Sequence, residues 1–69
     1  MRVTVSIGAL LPELIDSLRN VGCLAAPLSG HTCAVRYPRA FDEREARSEV
    51  EFFVRAWQLK RPQVAVAFD

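Results

Sequence analysis

The sequence predicts an α+β sandwich: a four-stranded antiparallel sheet carrying two helices on one face, in the order β-α-β-β-α-β. Three observations carry this prediction. Apolar and polar residues alternate at both ends of the 69-residue chain, two internal stretches repeat their apolar residues at helical spacing, and a Ser-Gly pair separates two short apolar runs near the middle. The length allows one small domain, spanning residues 1–69.

Arg2 to Ile7 places Val3, Val5 and Ile7 on one side and Arg2, Thr4 and Ser6 on the other, the period of a half-buried strand. Gly8-Ala9 breaks the pattern. A helix is expected over about residues 11–21. Pro12 suits its first turn, and Glu13 complements the positive helix end. Leu11, Leu14, Ile15 and Leu18 form one apolar stripe, and Gly22 is the expected left-handed terminator. Cys23–Leu28 and His31–Tyr37 then form a hairpin about a two-residue Ser29-Gly30 loop. In that register Leu28 faces His31, Ala26 faces Cys33 and Leu24 faces Val35. Leu24, Ala26, Cys33, Val35 and Tyr37 then look toward the helices, while Cys23, Ala25, Pro27, Thr32, Ala34 and Arg36 look away. With Cys23 and Cys33 on opposite faces, no internal disulfide is expected.

Tyr37 to Phe41 is a connection, because Pro38 disfavours further ladder pairing. Asp42 as N-cap with Glu45 three residues on opens a second helix, expected from about Glu43 to Lys60 and stopped by Pro62. Ala46, Val50, Phe53, Val54 and Trp57 share one arc of it, and Glu43–Arg47 and Glu51–Arg55 are spaced as i,i+4 ion pairs. Val64, Val66 and Phe68 alternate against Gln63, Ala65 and Ala67 as a final strand. Two right-handed crossovers and one hairpin give the ferredoxin-like arrangement with strand order 4-1-3-2. The expected core is Val3, Val5, Ile7, Leu11, Leu14, Ile15, Leu18, Leu24, Cys33, Val35, Val50, Phe53, Trp57, Val64 and Val66.

Composition narrows the function. A formal net charge of +1 lacks the basic footprint of a nucleic-acid or anionic-membrane binder. No apolar run approaches the roughly 20 residues of a membrane span, and Pro12, Glu13 and Asp16 interrupt any signal-peptide pattern. Cytoplasmic residence with reduced thiols is the expectation. Two cysteines make neither a disulfide scaffold nor a zinc quartet. No nucleophile elbow, phosphate loop or metal spacing is present, so neither an enzyme nor a cofactor is expected.

The stretch Gly8-Ala9-Leu10-Leu11-Pro12-Glu13-Leu14, continued by Leu18, Gly22 and Cys23, resembles the first half of ACT-type regulatory domains. Those domains place a glycine after the first strand, a leucine-rich helix, then a glycine and a small residue opening the second strand. The resemblance covers about residues 3–28. It implies binding of an amino-acid-like effector by the loop after the first strand, here Gly8, Ala9 and Leu10, with Gly8 the one position that matches. Ser6 and Ile7 stand where the family has an acidic residue and a proline. Other users of this topology fit less well. RNA-recognition domains stack bases on open-face aromatics, which this face lacks. Metal-transport domains need Cys-x-x-Cys, and acylphosphatases need an arginine-bearing loop after the first strand.

His31 has neither a nucleophile nor an orienting partner at catalytic spacing, and reads as a turn residue. The acidic residues Asp42, Glu43, Glu45, Glu49 and Glu51 are interleaved with Arg44, Arg47 and Arg55, the pattern of a solvated helix face. Two features suit association instead. Phe52, Ala56 and Leu59 lie about 140° around the second helix from its buried stripe, and the open sheet face is small-sided and poor in charge. Contiguous exposed apolar surface marks an interface. The expectation is therefore a non-enzymatic interaction or regulatory module. It would be homodimeric through an open face containing Thr4, Ala25, Ala34 and Ala65, with Phe52 and Leu59 left for a protein partner. Effector binding of the ACT type is the alternative.

Overall fold

The computed structural model describes residues 1–69 and contains the expected elements in the expected order. Strand β1 (Arg2–Val5) leads through a 3₁₀ turn (Gly8–Leu10) into helix α1 (Leu11–Asn20). Strands β2 (Leu24–Pro27) and β3 (Thr32–Arg36) form the hairpin, and helix α2 (Glu43–Leu59) returns the chain to β4 (Val66–Phe68). All pairings are antiparallel and the sheet order is β2-β3-β1-β4. Helix α1 lies over β2 and α2 over β3 and β4. No helix is long and apolar enough to cross a membrane.

The helix ends follow from local chemistry. Gly22 adopts φ +95°, a left-handed conformation that side chains resist. Its N–H donates to the Arg19 carbonyl at 3.1 Å, while the Cys23 N–H donates to that of Leu18 at 2.9 Å, the bond pair of a Schellman motif. At the start of α2 the Asp42 carboxylate accepts the Glu45 N–H at 2.8 Å, a cap contributing about 1 kcal/mol. The expected Glu43–Arg47 and Glu51–Arg55 pairs do not form. Arg47 reaches Glu51 at 3.8 Å, and Arg55 donates instead to the Gln58 amide oxygen at 2.9 Å while lying 5.0 Å from the Phe68 ring centre.

The hairpin differs from the sequence expectation by one residue. Pairing runs Leu24↔Arg36, Ala25↔Val35, Ala26↔Ala34 and Pro27↔Cys33, and the Leu28 N–H donates to the Thr32 carbonyl. The loop is therefore three residues, Ser29-Gly30-His31, and the slip turns every β2 side chain over. Cys23 and Ala25 are buried against the helices, whereas Leu24 and Leu28 are each 58% exposed and Ala26 is exposed beside them. Both thiols thus lie on the core side, correcting the opposite-face expectation. They remain free because Cys33 pairs with Pro27, four residues and so roughly 13 Å along β2 from Cys23.

Fourteen residues form the core: Val3, Val5, Leu11, Leu14, Ile15, Leu18, Cys23, Ala25, Cys33, Val35, Val50, Val54, Trp57 and Val64. Three expected members, Ile7, Phe53 and Val66, are only partly buried and pack on its border. Val54, which shares the helical arc with Val50 and Trp57, is fully buried, and Phe53 is displaced to the flank beside Tyr37, ring centres 5.6 Å apart. Expected core residue Leu24 is outside.

Candidate interaction surface

The open sheet face is built by alternation. Because Val3, Val5, Cys33 and Val35 point to the helices, their neighbours Arg2, Thr4, Thr32, Ala34 and Arg36 point away. Register then lines them up across the strands. One row runs Ala26, Ala34, Arg2, Asp69 and the next Leu28, Thr32, Thr4, Ala67, with Leu24 beside Arg36 at one corner. Thr4 and Thr32 share a hydroxyl hydrogen bond at 2.9 Å, and Arg2 is paired with Asp69. Ser6 lies at the far end, its hydroxyl accepting the Ala65 N–H at 2.8 Å. The row through Thr32 and Thr4 is thus free of charge, while Arg2 stands beside Ala34 in the neighbouring row, paired with Asp69.

Of the residues the sequence assigned to this face, Thr4, Ala34 and Ala65 are on it. Ala25 is not, because the hairpin slip buries it, and Ala26 takes its place. Leu24 and Leu28 were missed, and they are the largest apolar side chains on the face. Phe52 and Leu59 are 67% and 83% exposed. On an ideal helix both lie opposite the stripe of Val50, Val54 and Trp57. They therefore form a ridge on the outer surface of α2, remote from the open sheet face.

The β2 edge of the sheet is partly protected. Hydrogen-bonded pairs alternate along β2–β3, so the free edge of β2 presents the backbone of Ala25 and Pro27 outward. Pro27 has no N–H, and the Ala25 carbonyl accepts both Nε (3.0 Å) and Nη2 (2.7 Å) of Arg19 from α1. Two of the four outward groups of these residues are thus taken or missing, which blunts the edge beside Leu24 and Leu28 against further strand pairing.

The loop proposed for effector binding has another task. A Cβ on Gly8 would come within 2.7 Å of the Gly30 carbonyl oxygen and 3.2 Å of the His31 ring. Gly8 therefore lets the β1–α1 connection press on the hairpin, and Ala9 and Leu10 complete the 3₁₀ turn. Three clefts of the surface are lined by other residues. No three His, Cys, Asp or Glu side chains converge to hold a metal ion. Burial pushes both cysteine thiols above their ordinary pKa, the opposite of an activated nucleophile. No protein-family model, curated protein or solved structure matches the chain.

Proposed function

We propose that this chain is a small non-enzymatic interaction module that works as a homodimer, joined through its open sheet faces. The observation that carries the reading is the pair Leu24 and Leu28, each 58% exposed on a face otherwise made of alanine, threonine and serine, with Arg36 and the Arg2–Asp69 pair as its charged residues. Large apolar side chains with nothing over them on a small-sided sheet gain most by meeting a second sheet, since small neighbours let the two layers approach. Self-pairing is tolerated because Arg2 and Asp69 neutralise each other within the face, leaving Arg36 at one corner as its unpaired charge. The Phe52–Leu59 ridge then serves a heterologous protein partner, Phe52 being its aromatic anchor.

Effector binding of the ACT type at Gly8, Ala9 and Leu10 ranks second, because the space beside Gly8 is taken by the hairpin. Sedimentation velocity separates the surfaces. Ala34→Glu is expected to give monomers and Phe52→Glu to leave the dimer intact. A wild type that stays monomeric at high concentration overturns the homodimer reading.

A further inference from the structure

Strand β4 forms the other edge of the sheet. Arg2 and Asp69 exchange backbone hydrogen bonds at 3.1 and 2.9 Å, and the Ser6 N–H donates to the Ala65 carbonyl at 2.9 Å. Alternation then turns the backbone of Ala65, Ala67 and Asp69 toward β1 and that of Val66 and Phe68 outward. Neither residue's N–H or C=O has a partner. The devices that blunt β2 are missing here, since Val66-Ala67-Phe68 carries no proline, no charge and no clamp. Just upstream the Gln58 amide donates to the Val64 carbonyl at 2.8 Å, so the opening is confined to Val66 and Phe68.

So short a stretch of backbone holds an added strand weakly, and a groove beside it supplies further contact. The groove, about 500 Å³, is lined by Phe52, Arg55, Ala56, Gln58, Leu59 and Pro62. It abuts β4: the Arg55 guanidinium lies 5.0 Å from the Phe68 ring centre, and Gln58 reaches Val64. Arg55 donates to the Gln58 amide oxygen and has no carboxylate partner. An extended backbone is the occupant that answers alternating N–H and C=O groups. The residues of an added strand that bond Val66 and Phe68 stand two apart and turn their side chains to the helix side. One meets Arg55 and is matched by a carboxylate. The other lies toward Leu59 and Pro62 and is matched by an apolar side chain. A second copy of β4 fits poorly, because twofold pairing about Ala67 brings the two Arg55 guanidinium groups to one junction, like charge against like. We propose that β4 and its groove take up an extended segment of another protein as a fifth strand, one with an acidic and a large apolar residue two apart. This site rests on the reading of the Phe52–Leu59 ridge as a partner surface and adds the backbone that reads the partner.

Random heptapeptides displayed on phage and selected on the whole chain are expected to enrich an acidic and a large apolar residue two positions apart. The enriched peptide, made with a fluorescein label and followed by anisotropy, should bind Arg55→Gln, a change at an exposed position, about tenfold more weakly than wild type. N-methylation of its alternate amides in one phase should abolish binding, and in the other phase leave it within about threefold. In proton–nitrogen NMR the Val66 and Phe68 amides should shift and gain protection from exchange, as they acquire acceptors. No enrichment of that spacing overturns the proposal. So does equal binding to Arg55→Gln, equal effect of the two methylation phases, or unmoved Val66 and Phe68 amides. Peptides lost with Phe52→Glu but indifferent to Arg55→Gln and to methylation phase overturn the added strand while leaving the ridge a partner surface. The sedimentation of Ala34→Glu reads the open face alone.

Discussion

Trp57→Ala is the most demanding test of the packing. Trp57 is 6% exposed, lines the junction of the two helices with Leu14 and Leu18, and carries the Arg61 guanidinium on its ring. Truncating a buried tryptophan removes its apolar area and leaves a cavity, a loss of about 3–5 kcal/mol. The lost stacking of Arg61 adds about 0.5–1 kcal/mol at this partly exposed rim. A domain of 69 residues has roughly 3–10 kcal/mol in all, so the variant is expected to be marginal. At about 4–8 °C per kcal/mol its Tm should fall by at least about 12 °C. Trp57→Phe is the control. It keeps most of the ring and deletes the buried indole N–H, which lacks a hydrogen-bond partner; that relieves about 1–3 kcal/mol against the area lost, and a Tm near that of the wild type is expected. Thermal melts followed by far-UV circular dichroism read both. A Trp57→Ala variant melting within about 5 °C of wild type refutes the core placement.

Three further outcomes follow from the geometry. Gly8→Ala forces the β1–α1 turn off the Gly30 carbonyl 2.7 Å away and should cost about 1–3 kcal/mol in urea denaturation; wild-type stability would show the contact to be dispensable. Leu24→Ser should change stability by no more than about 0.5 kcal/mol while Ala25→Asp, which buries a carboxylate, should prevent folding, and the reverse ranking would restore the two-residue hairpin register. The buried thiols should label with iodoacetamide only as fast as the chain unfolds. Their pKa values are raised above 9.0 on folding, so their contribution is complete below that pH and is lost as pH rises through the folded-state values, because the unfolded chain releases its protons first. Wild type should therefore lose more stability in alkali than the Cys23→Ala/Cys33→Ala variant, and equal losses would contradict the burial.

The order of elements was legible because each carries its own signal: the Val3, Val5 alternation, the Leu11–Leu18 stripe closed by Gly22, and the Asp42 cap. The face of β2 was not. Cys23-Leu24-Ala25-Ala26-Pro27-Leu28 contains no polar residue, so neither face is marked as wet, and Ser29-Gly30 suits a loop of two residues or three. Only pairing to β3, where Thr32, Cys33, Ala34, Val35 and Arg36 alternate clearly, decides it. That ambiguity placed Ala25 on the open face and hid Leu24 and Leu28, the residues on which the interaction surface now rests. On α2, Val54 and Phe53 are neighbours on one arc. The smaller occupies the centre because it sits in line with Val50 and Trp57, a preference that periodicity alone blurs. The Arg19 contact with Ala25 and the groove between α2 and β4 depend on how separate elements meet, and no local pattern announces them.

The Arg19 clamp on β2 also bears on the sequence of events during folding. It joins residues six apart, and the hairpin it guards is closed by a three-residue loop. The opposite side of the sheet is joined by contacts that span 59 and 67 residues, Ser6 to Ala65 and Arg2 to Asp69. Closing a loop that long carries a larger entropic cost, and local contacts are made first. Helix α1 and the hairpin are thus expected to assemble as a unit, with the bare strand edge already covered while β4 is still searching. A nascent or transiently opened molecule would show neighbours a β2 ladder already interrupted at the Ala25 carbonyl and at Pro27. The step most exposed to aggregation is in this way moved to β4, which is three residues long and offers little to template on.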